Sequence, residues 1–219
     1  MQCVKALISF FTVVPIGAPL DFRCAWALPY VVPPITAAVP AALLAAGASP
    51  LLAYAALLLM TGLNHLDGLA DVADALMVRD RDRARAVLED PRRGTAGIFA
   101  AVAAYVIPAL HLASPWQILL AEAYSKALTV AFAGRSAAFK EGLGSLFISA
   151  ARRTWPLALP ALAAAAYANP AAFLAATAAS ALFYAAAYRH LGGANGDVLG
   201  YLLELSRASY IVAVFYLKA

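Results

Sequence analysis

The chain has 219 residues, of which 64% are hydrophobic and 13% charged, with a mean hydropathy of +0.78. That is about half the charged share of an ordinary soluble domain, which excludes a water-soluble globular enzyme and indicates a polytopic membrane protein. The formal net charge of +4 does not signal nucleic acid, because the basic residues lie in short loops between apolar runs instead of on one polar face.

In chain order, Met1 to Ile16 is a short apolar stretch with one lysine, ended by Pro15 and Gly17 well short of a span. It reads as an amphipathic helix on the cytoplasmic membrane face, within an interfacial segment 1–24, and not as a signal peptide. Cys3 and Cys24 have neither metal-ligand spacing nor nearby histidines, so they read as small apolar residues and not as a disulfide or redox pair.

The first span is Ala27 to Gly47, bent by Pro33, Pro34 and Pro40, and the second runs from Pro50 to about Leu66. A charged segment from Arg79 to Arg93 follows, with six arginines set against Asp80, Asp82, Glu89 and Asp90. Gly94 to Ala113 and Trp116 to Ala133 are the third and fourth spans, and Gly134 to Arg153 is a second polar loop. Trp155 to Tyr167, Ala171 to Tyr188 and Val198 to Leu217 complete the series, the last two separated by the glycine-rich stretch 192–197. The expected fold is thus an all-α, multi-pass integral membrane bundle with seven transmembrane helices, or six if the short fifth span is not one, forming a single domain over 1–219.

With seven spans and a cytoplasmic N-terminus, Lys5, Arg23, Arg189 and the basic residues of both polar loops all fall inside. The turns at 47–50, 113–115 and 167–170 contain no lysine or arginine. This partition sets the orientation and brings the acidic segment, both polar loops and the glycine stretch to one cytoplasmic site on the cell membrane.

The chemistry begins after the second span. In a helix, Asp67, Asp71 and Asp74 fall at i, i+4 and i+7, within about 60° of one another, with Asn64 on the same stripe. A solvated face is the ordinary fate of such residues, but here they stand among Leu66, Leu69, Ala70, Val72 and Ala73 at a membrane edge, where ionisable groups are functional by default. Oxygen-only ligands at this spacing suit a hard cation such as Mg²⁺ or Mn²⁺, with phosphate oxygens completing the shell. His65 is either an interface histidine or a polar contact to substrate. Arg92, Arg93, Gly94 and Thr95 open the third span as an anion site or as a plain basic flank. Gly192, Gly193 and Gly196 form a phosphate-approach loop or a simple turn, and Asp197 and Glu204 form a second acidic stripe. Glu122 with Lys126, and Glu204 with Arg207, are spaced for neutralisation along one helix face or for substrate contact.

These residues carry a resemblance. Phe10-Phe11-Thr12 with Pro15, Thr61-Gly62 through His65-Leu66-Asp67-Gly68-Leu69-Ala70-Asp71 to Ala73-Asp74, and Arg79-Asp80 come first in order. Gly94-Thr95 with Gly97, Glu141-Gly142-Leu143-Gly144, and Gly192-Gly193 with Gly196-Asp197, Leu199-Gly200 and Glu204 complete it. Together they resemble the signature of the cobalamin (5′-phosphate) synthase family, the adenosylcobinamide-GDP ribazoletransferases. Departures from the pattern are Leu63 and Asn64 for glycine and leucine, Ala75 for glycine, Pro91 and Arg93 for a serine and an apolar residue, and Asn195 for threonine. None removes a carboxylate.

The resemblance implies a membrane transferase that joins adenosylcobinamide-GDP to α-ribazole or its 5′-phosphate and releases GMP in a Mg²⁺-dependent step. It implies Asp67, Asp71 and Asp74 as metal ligands and Asp197 as a further ligand or base. Substrate or phosphate contacts would come from Asn64, His65, Arg79, Arg92, Arg93, Gly94, Thr95, Gly192, Gly193, Gly196 and Glu204. The partners are these small molecules and the lipid bilayer, not nucleic acid, with homo-oligomerisation left open. A CDP-alcohol phosphotransferase or diphosphate-handling prenyltransferase would use the same aspartate logic but lacks the matching aspartate pattern, and a cation transporter would line a pathway with such groups.

Overall fold

A computed structural model describes residues 2–217; Met1, Lys218 and Ala219, the ends of the domain read over 1–219, lie outside the described residues. Among the described residues the fold is helical, with one isolated bridge between Ala138 and Ala194 and no strand. The helices are α1 (Gln2–Phe11), α2 (Leu28–Ala45), α3 (Pro50–Met60), α4 (Asn64–Leu76), α5 (Arg81–Val87) and α6 (Thr95–Leu110). They continue with α7 (Pro115–Ala133), α8 (Leu143–Thr154), α9 (Leu159–Ala168), α10 (Pro170–Leu191) and α11 (Gly196–Tyr216). Short 3₁₀ turns at Ala25–Ala27 and Trp155–Ala158 lead into α2 and α9.

Local signals set many of the helix starts. Ser49, Ser114, Asn169 and Asn195 each accept a backbone N–H from the residue three places on, and proline opens α3, α7 and α10. Ala25–Ala45, Pro170–Leu191 and Gly196–Tyr216 are long and apolar enough to cross a membrane. By contrast α3, with 11 residues, and α9, with 10, fall short of the roughly 20 that a full crossing takes.

The second span does not continue unbroken to Leu66. It stops at Met60, where Gly62 and Leu63 both take positive φ, 75° and 61°, and α4 starts afresh at Asn64. The acidic stripe therefore has a helix of its own, and the break before it lets α4 pack Gly68 against α11 while its aspartates meet Arg93 and the start of α6.

The bundle has two chemically different ends. At one, α4 meets the start of α11: a Cβ on Gly200 would lie 3.2 Å from the His65 Cα, so the two helices touch backbone to backbone. At the other, Gln117 donates to the Ile211 carbonyl at 2.8 Å, Asn169 donates to the Leu217 carbonyl at 2.8 Å, and His111 and the Tyr216 hydroxyl lie 3.0 Å apart. The Tyr105 hydroxyl donates to the carbonyl of Leu51 at 3.1 Å, so the turns without lysine or arginine gather at this second end.

Cys3 and Cys24 form a disulfide, with Cα atoms 5.6 Å apart, contrary to the reading of them as unlinked apolar residues. Twenty-one positions separate them, and only the fold-back of α1 onto the start of α2 brings them together. The charged loops also hold more structure than their composition indicates. Within Arg79–Arg93, α5 uses Arg81 and Arg85 to donate to the carbonyls of Arg189, His190 and Leu191 at 2.8–3.1 Å, satisfying the open end of α10.

The interior carries a buried ion cluster. Lys126 donates to Glu122 at 2.5 Å and Arg207 donates to Glu122 at 2.8 Å. Arg207 also bonds Glu204, Thr36 bonds Glu122, and the Arg207 Nε donates to the Tyr54 hydroxyl at 3.2 Å. The neutralisation expected along single helix faces thus joins α2, α3, α7 and α11 into one network.

Candidate active site

The three aspartates of α4 share a face as the spacing predicts, but they do different jobs. Asp67 and Asp71 both accept hydrogen bonds from the guanidinium of Arg93, which supplies the cation that two neighbouring carboxylates need. The Asp67 side chain is 61% exposed and that of Asp71 only 8%. Burial pushes the Asp71 carboxyl up to about 6; Arg93 opposes that shift, while Asp67, Asp197 and Asp74 add to it.

Asp74 has different partners from this pair. Its carboxylate accepts the backbone N–H of Gly94 at 2.7 Å and of Gly97 at 2.8 Å, capping the start of α6. Position 97 must be glycine, since a Cβ there would lie 2.7 Å from the Ala70 carbonyl oxygen, and a Cβ at either position 94 or 97 would run into the Asp74 carboxylate. The anion site expected at Gly94 and Thr95 is therefore filled by the protein's own carboxylate. Arg92 stands outside it, paired with Asp90 at 2.6 Å, and Arg79 is exposed on the loop. Among the described residues, no three carboxylate, histidine or cysteine side chains are grouped closely enough to hold a metal ion.

Asp197 reaches the site from the far end of the chain. It sits in the first turn of α11 against Gly68 of α4 and accepts a hydrogen bond from the Asn195 amide at 2.6 Å. Asn195, not Asp197, caps α11, through the Val198 N–H at 3.0 Å. Asp197 is thus free of the capping role that its position would explain.

A cavity of about 460 Å³ opens beside this junction. Its polar part is lined by Asn64, Lys140, Glu141, Asn195, Gly196 and Asp197, and its apolar part by phenylalanines from α1, α8 and the segment between α1 and α2. Gly144 lets α8 close on the glycine stretch, since its Cβ would lie 3.0 Å from the Asn195 Cα. Across α4 a more open cavity of about 430 Å³ is lined by Asn64, Asp67, Arg93, Ile98 and Val102. Asn64 borders both.

Of the three glycines in that stretch, only Gly196 lines the cavity. Gly192 ends α10 with φ 72°, and a Cβ there would lie 2.8 Å from the Arg85 guanidinium; one on Gly193 would lie 2.9 Å from the Ala137 carbonyl oxygen. These two serve the turn and line neither cavity. Glu204 lies in the buried ion cluster with its Arg207 partner and lines neither cavity. Lys140, Phe22 and Phe147 carry no sequence signal of a site, because a lone lysine in a basic loop and aromatics near a membrane face have ordinary explanations, whereas Phe10 and Phe11 belong to the residues that carry the resemblance.

A profile of the Cobalamin-5-phosphate synthase family matches residues 4–215. Among curated relatives, an adenosylcobinamide-GDP ribazoletransferase from Pyrobaculum calidifontis is 68% identical, the match covering 97% of this chain and 98% of the relative. One of the same name from Pyrobaculum aerophilum is 61% identical, with 97% and 95% covered. Another from Thermoplasma acidophilum is 32% identical, with 97% and 91% covered. No solved structure matches the chain.

Proposed function

Because this chain belongs to the cobalamin-5-phosphate synthase family, we propose that it joins adenosylcobinamide-GDP to α-ribazole or α-ribazole 5′-phosphate, a late step of cobalamin biosynthesis. A ribose hydroxyl attacks the cobinamide-bearing phosphorus of the pyrophosphate, a new P–O bond forms, the bridging P–O bond breaks, and GMP leaves with the electron pair. Such a transfer needs alignment and charge neutralisation more than covalent help from the protein.

The observation that carries this reading is the meeting of α4 and α11 at Gly68 and Asp197, which sets Asp197 on one cavity and Asp67 on the other, with Asn64 bordering both. Asp197 is suited to take the proton of the attacking hydroxyl, being half-buried at the cavity wall and released from capping by Asn195. Lys140 lines the same polar end and would orient a phosphate there. Arg93 would steady the pyrophosphate or the departing GMP from the second cavity.

Mg²⁺ fits this donor set. Asp67 and Asp71 already converge on one cationic group, Arg93, and their oxygens are the hard ligands such an ion takes. When bound, it would supply charge neutralisation at the pyrophosphate. Asp67 and Asp71 are the residues to hold it, with Asp197 near; Asp74 is committed to the α6 N-terminus and supports the site by fixing α6.

For topology we propose seven traverses of the cell membrane, with α3 and the first turn of α4 as one interrupted crossing and the N-terminus and active site on the cytoplasmic side. The alternation of the helices between the two ends of the bundle and the absence of lysine and arginine from the far turns support this. The deciding experiment incubates purified protein with adenosylcobinamide-GDP, α-ribazole and Mg²⁺. GMP release that stops with EDTA is expected; no GMP under any divalent cation would overturn the activity.

A further inference from the structure

Resting on the transferase reading, we propose that the aromatic end of the 460 Å³ cavity is the seat of the ribazole base, with His65 meeting its one free ring nitrogen. Phe11, Phe22, Phe147 and His65 wall this end. Phe11 and His65 are stacked, with centroids 5.3 Å apart and planes 15° apart, while Phe22 meets Phe147 edge-on at 5.4 Å. A flat ring entering here finds aromatic faces and edges, the surroundings in which heterocycles stack.

The second observation is an unmet polar group. His65 is 8% exposed, and its Nδ1 is buried with no hydrogen-bond partner. That nitrogen is closed off from solvent, so a ligand atom meets it only after the His65 ring turns, and the cost of the missing hydrogen bond favours that turn. A benzimidazole nucleoside has one ring nitrogen in its glycosidic bond and one free as an acceptor, so a single imidazole N–H satisfies it. Guanine, the other base in the reaction, presents a carbonyl, a ring N–H, an amine and two further ring nitrogens. Against this wall most of those groups would be buried unpaired, which is costly. The corrin, with its fringe of amides, is unsuited for the same reason.

The placement agrees with the polar end of the cavity. A base seated on Phe147 directs its ribose toward Asp197 and Lys140, the groups assigned to the hydroxyl and the phosphate. The disulfide between Cys3 and Cys24 ties α1, which carries Phe11, to the segment that carries Phe22, so two walls of the pocket are fixed together before any ligand arrives.

The test measures equilibrium binding of α-ribazole and, separately, of GMP to the full-length protein in detergent, for wild type, Phe147→Ala and His65→Phe. Both variants are expected to weaken α-ribazole about tenfold or more, the scale of one lost stack or one unmet nitrogen, with GMP affinity within twofold of wild type. Phe147→Leu, which keeps volume and loses the aromatic face, replaces Phe147→Ala if the latter does not fold. Unchanged α-ribazole affinity, or a loss in GMP affinity instead, overturns the assignment. Because GMP release by the wild type is measured independently, a base seated elsewhere would leave the transferase reading standing.

Discussion

A Cβ on Gly68 would lie 2.9 Å from the Cα of Asp197. Real Cβ atoms do not approach backbone that closely, so α4 and α11 can cross where they do only because residue 68 is glycine. This contact decides how far the Asp67 and Asp71 carboxylates stand from Asp197. Gly68→Ala should push the helices apart, costing about 1–3 kcal/mol of stability through overpacking. Turnover should fall by more than tenfold in the fraction that remains folded, since small displacements of catalytic groups are expensive. GMP release normalised to monodisperse protein checks this; near-normal turnover would mean that the crossing does not set the site.

Asp197 and Asn195 separate catalysis from capping. Asn195 accepts the Val198 N–H and also donates to Asp197, so Asp197→Ser leaves the cap in place. Its thermal midpoint should stay near that of wild type, while its turnover drops by about 100-fold or more, the scale of a lost general base. A lowered midpoint with proportionate activity would assign Asp197 a structural role.

Asp71 gives the site a pH dependence. With its carboxyl pushed up to about 6, the group is neutral below that pH and ionised above it. A cation that binds the carboxylate must displace a proton below pH 6, so apparent Mg²⁺ affinity should fall as pH drops from 7 to 5. The same shift means that, without the cation, ionising Asp71 disfavours the folded state, so this group's contribution to stability declines as pH rises from about 4 through 6. Mg²⁺ titrations at several pH values, repeated with Asp71→Asn, check both points; affinity independent of pH would remove Asp71 from the ligand set.

How much was legible depended on how local the cause was. The stripe of Asp67 and Asp71 and the division between basic and neutral turns follow from spacing within a few residues. The partner of Asp74 was not legible, because Gly94 and Gly97 reach it only after α6 packs on α4. The Cys3–Cys24 bond and the arginine caps on α10 are likewise tertiary. The break at Leu63 is a different case, since leucine gives no signal of left-handed backbone.

Leu63 therefore makes a prediction of its own. It is the one non-glycine residue with positive φ among the described residues, it is 42% exposed, and the family resemblance expects glycine there. A left-handed non-glycine residue costs about 1–2 kcal/mol, and glycine gives back part of that gain through its freer unfolded chain. Leu63→Gly should raise stability by about 0.5–1 kcal/mol on balance. Thermal unfolding in detergent reads this directly, and a destabilised variant would show that the Leu63 side chain makes a contact worth more than the strain.

The buried cluster allows a sharper test, because it balances two carboxylates, Glu122 and Glu204, against two cations, Lys126 and Arg207, all with fully buried side chains. Removing Lys126 alone leaves an uncompensated negative charge in the bundle, so Lys126→Met should cost about 3–5 kcal/mol. Glu204→Gln alone leaves an excess positive charge and should also destabilise. The double variant is neutral again and keeps the 2.8 Å bond between Arg207 and Glu122, so its loss should be smaller than the sum of the two single losses by about 1 kcal/mol or more. None of the four residues lines either cavity, so turnover per folded molecule should stay within about threefold of wild type, as expected for positions removed from the chemistry. Strict additivity in the thermal midpoints would mean that the charges are not coupled as one unit. A collapse of turnover in the folded double variant would instead return Glu204 to the substrate-binding set.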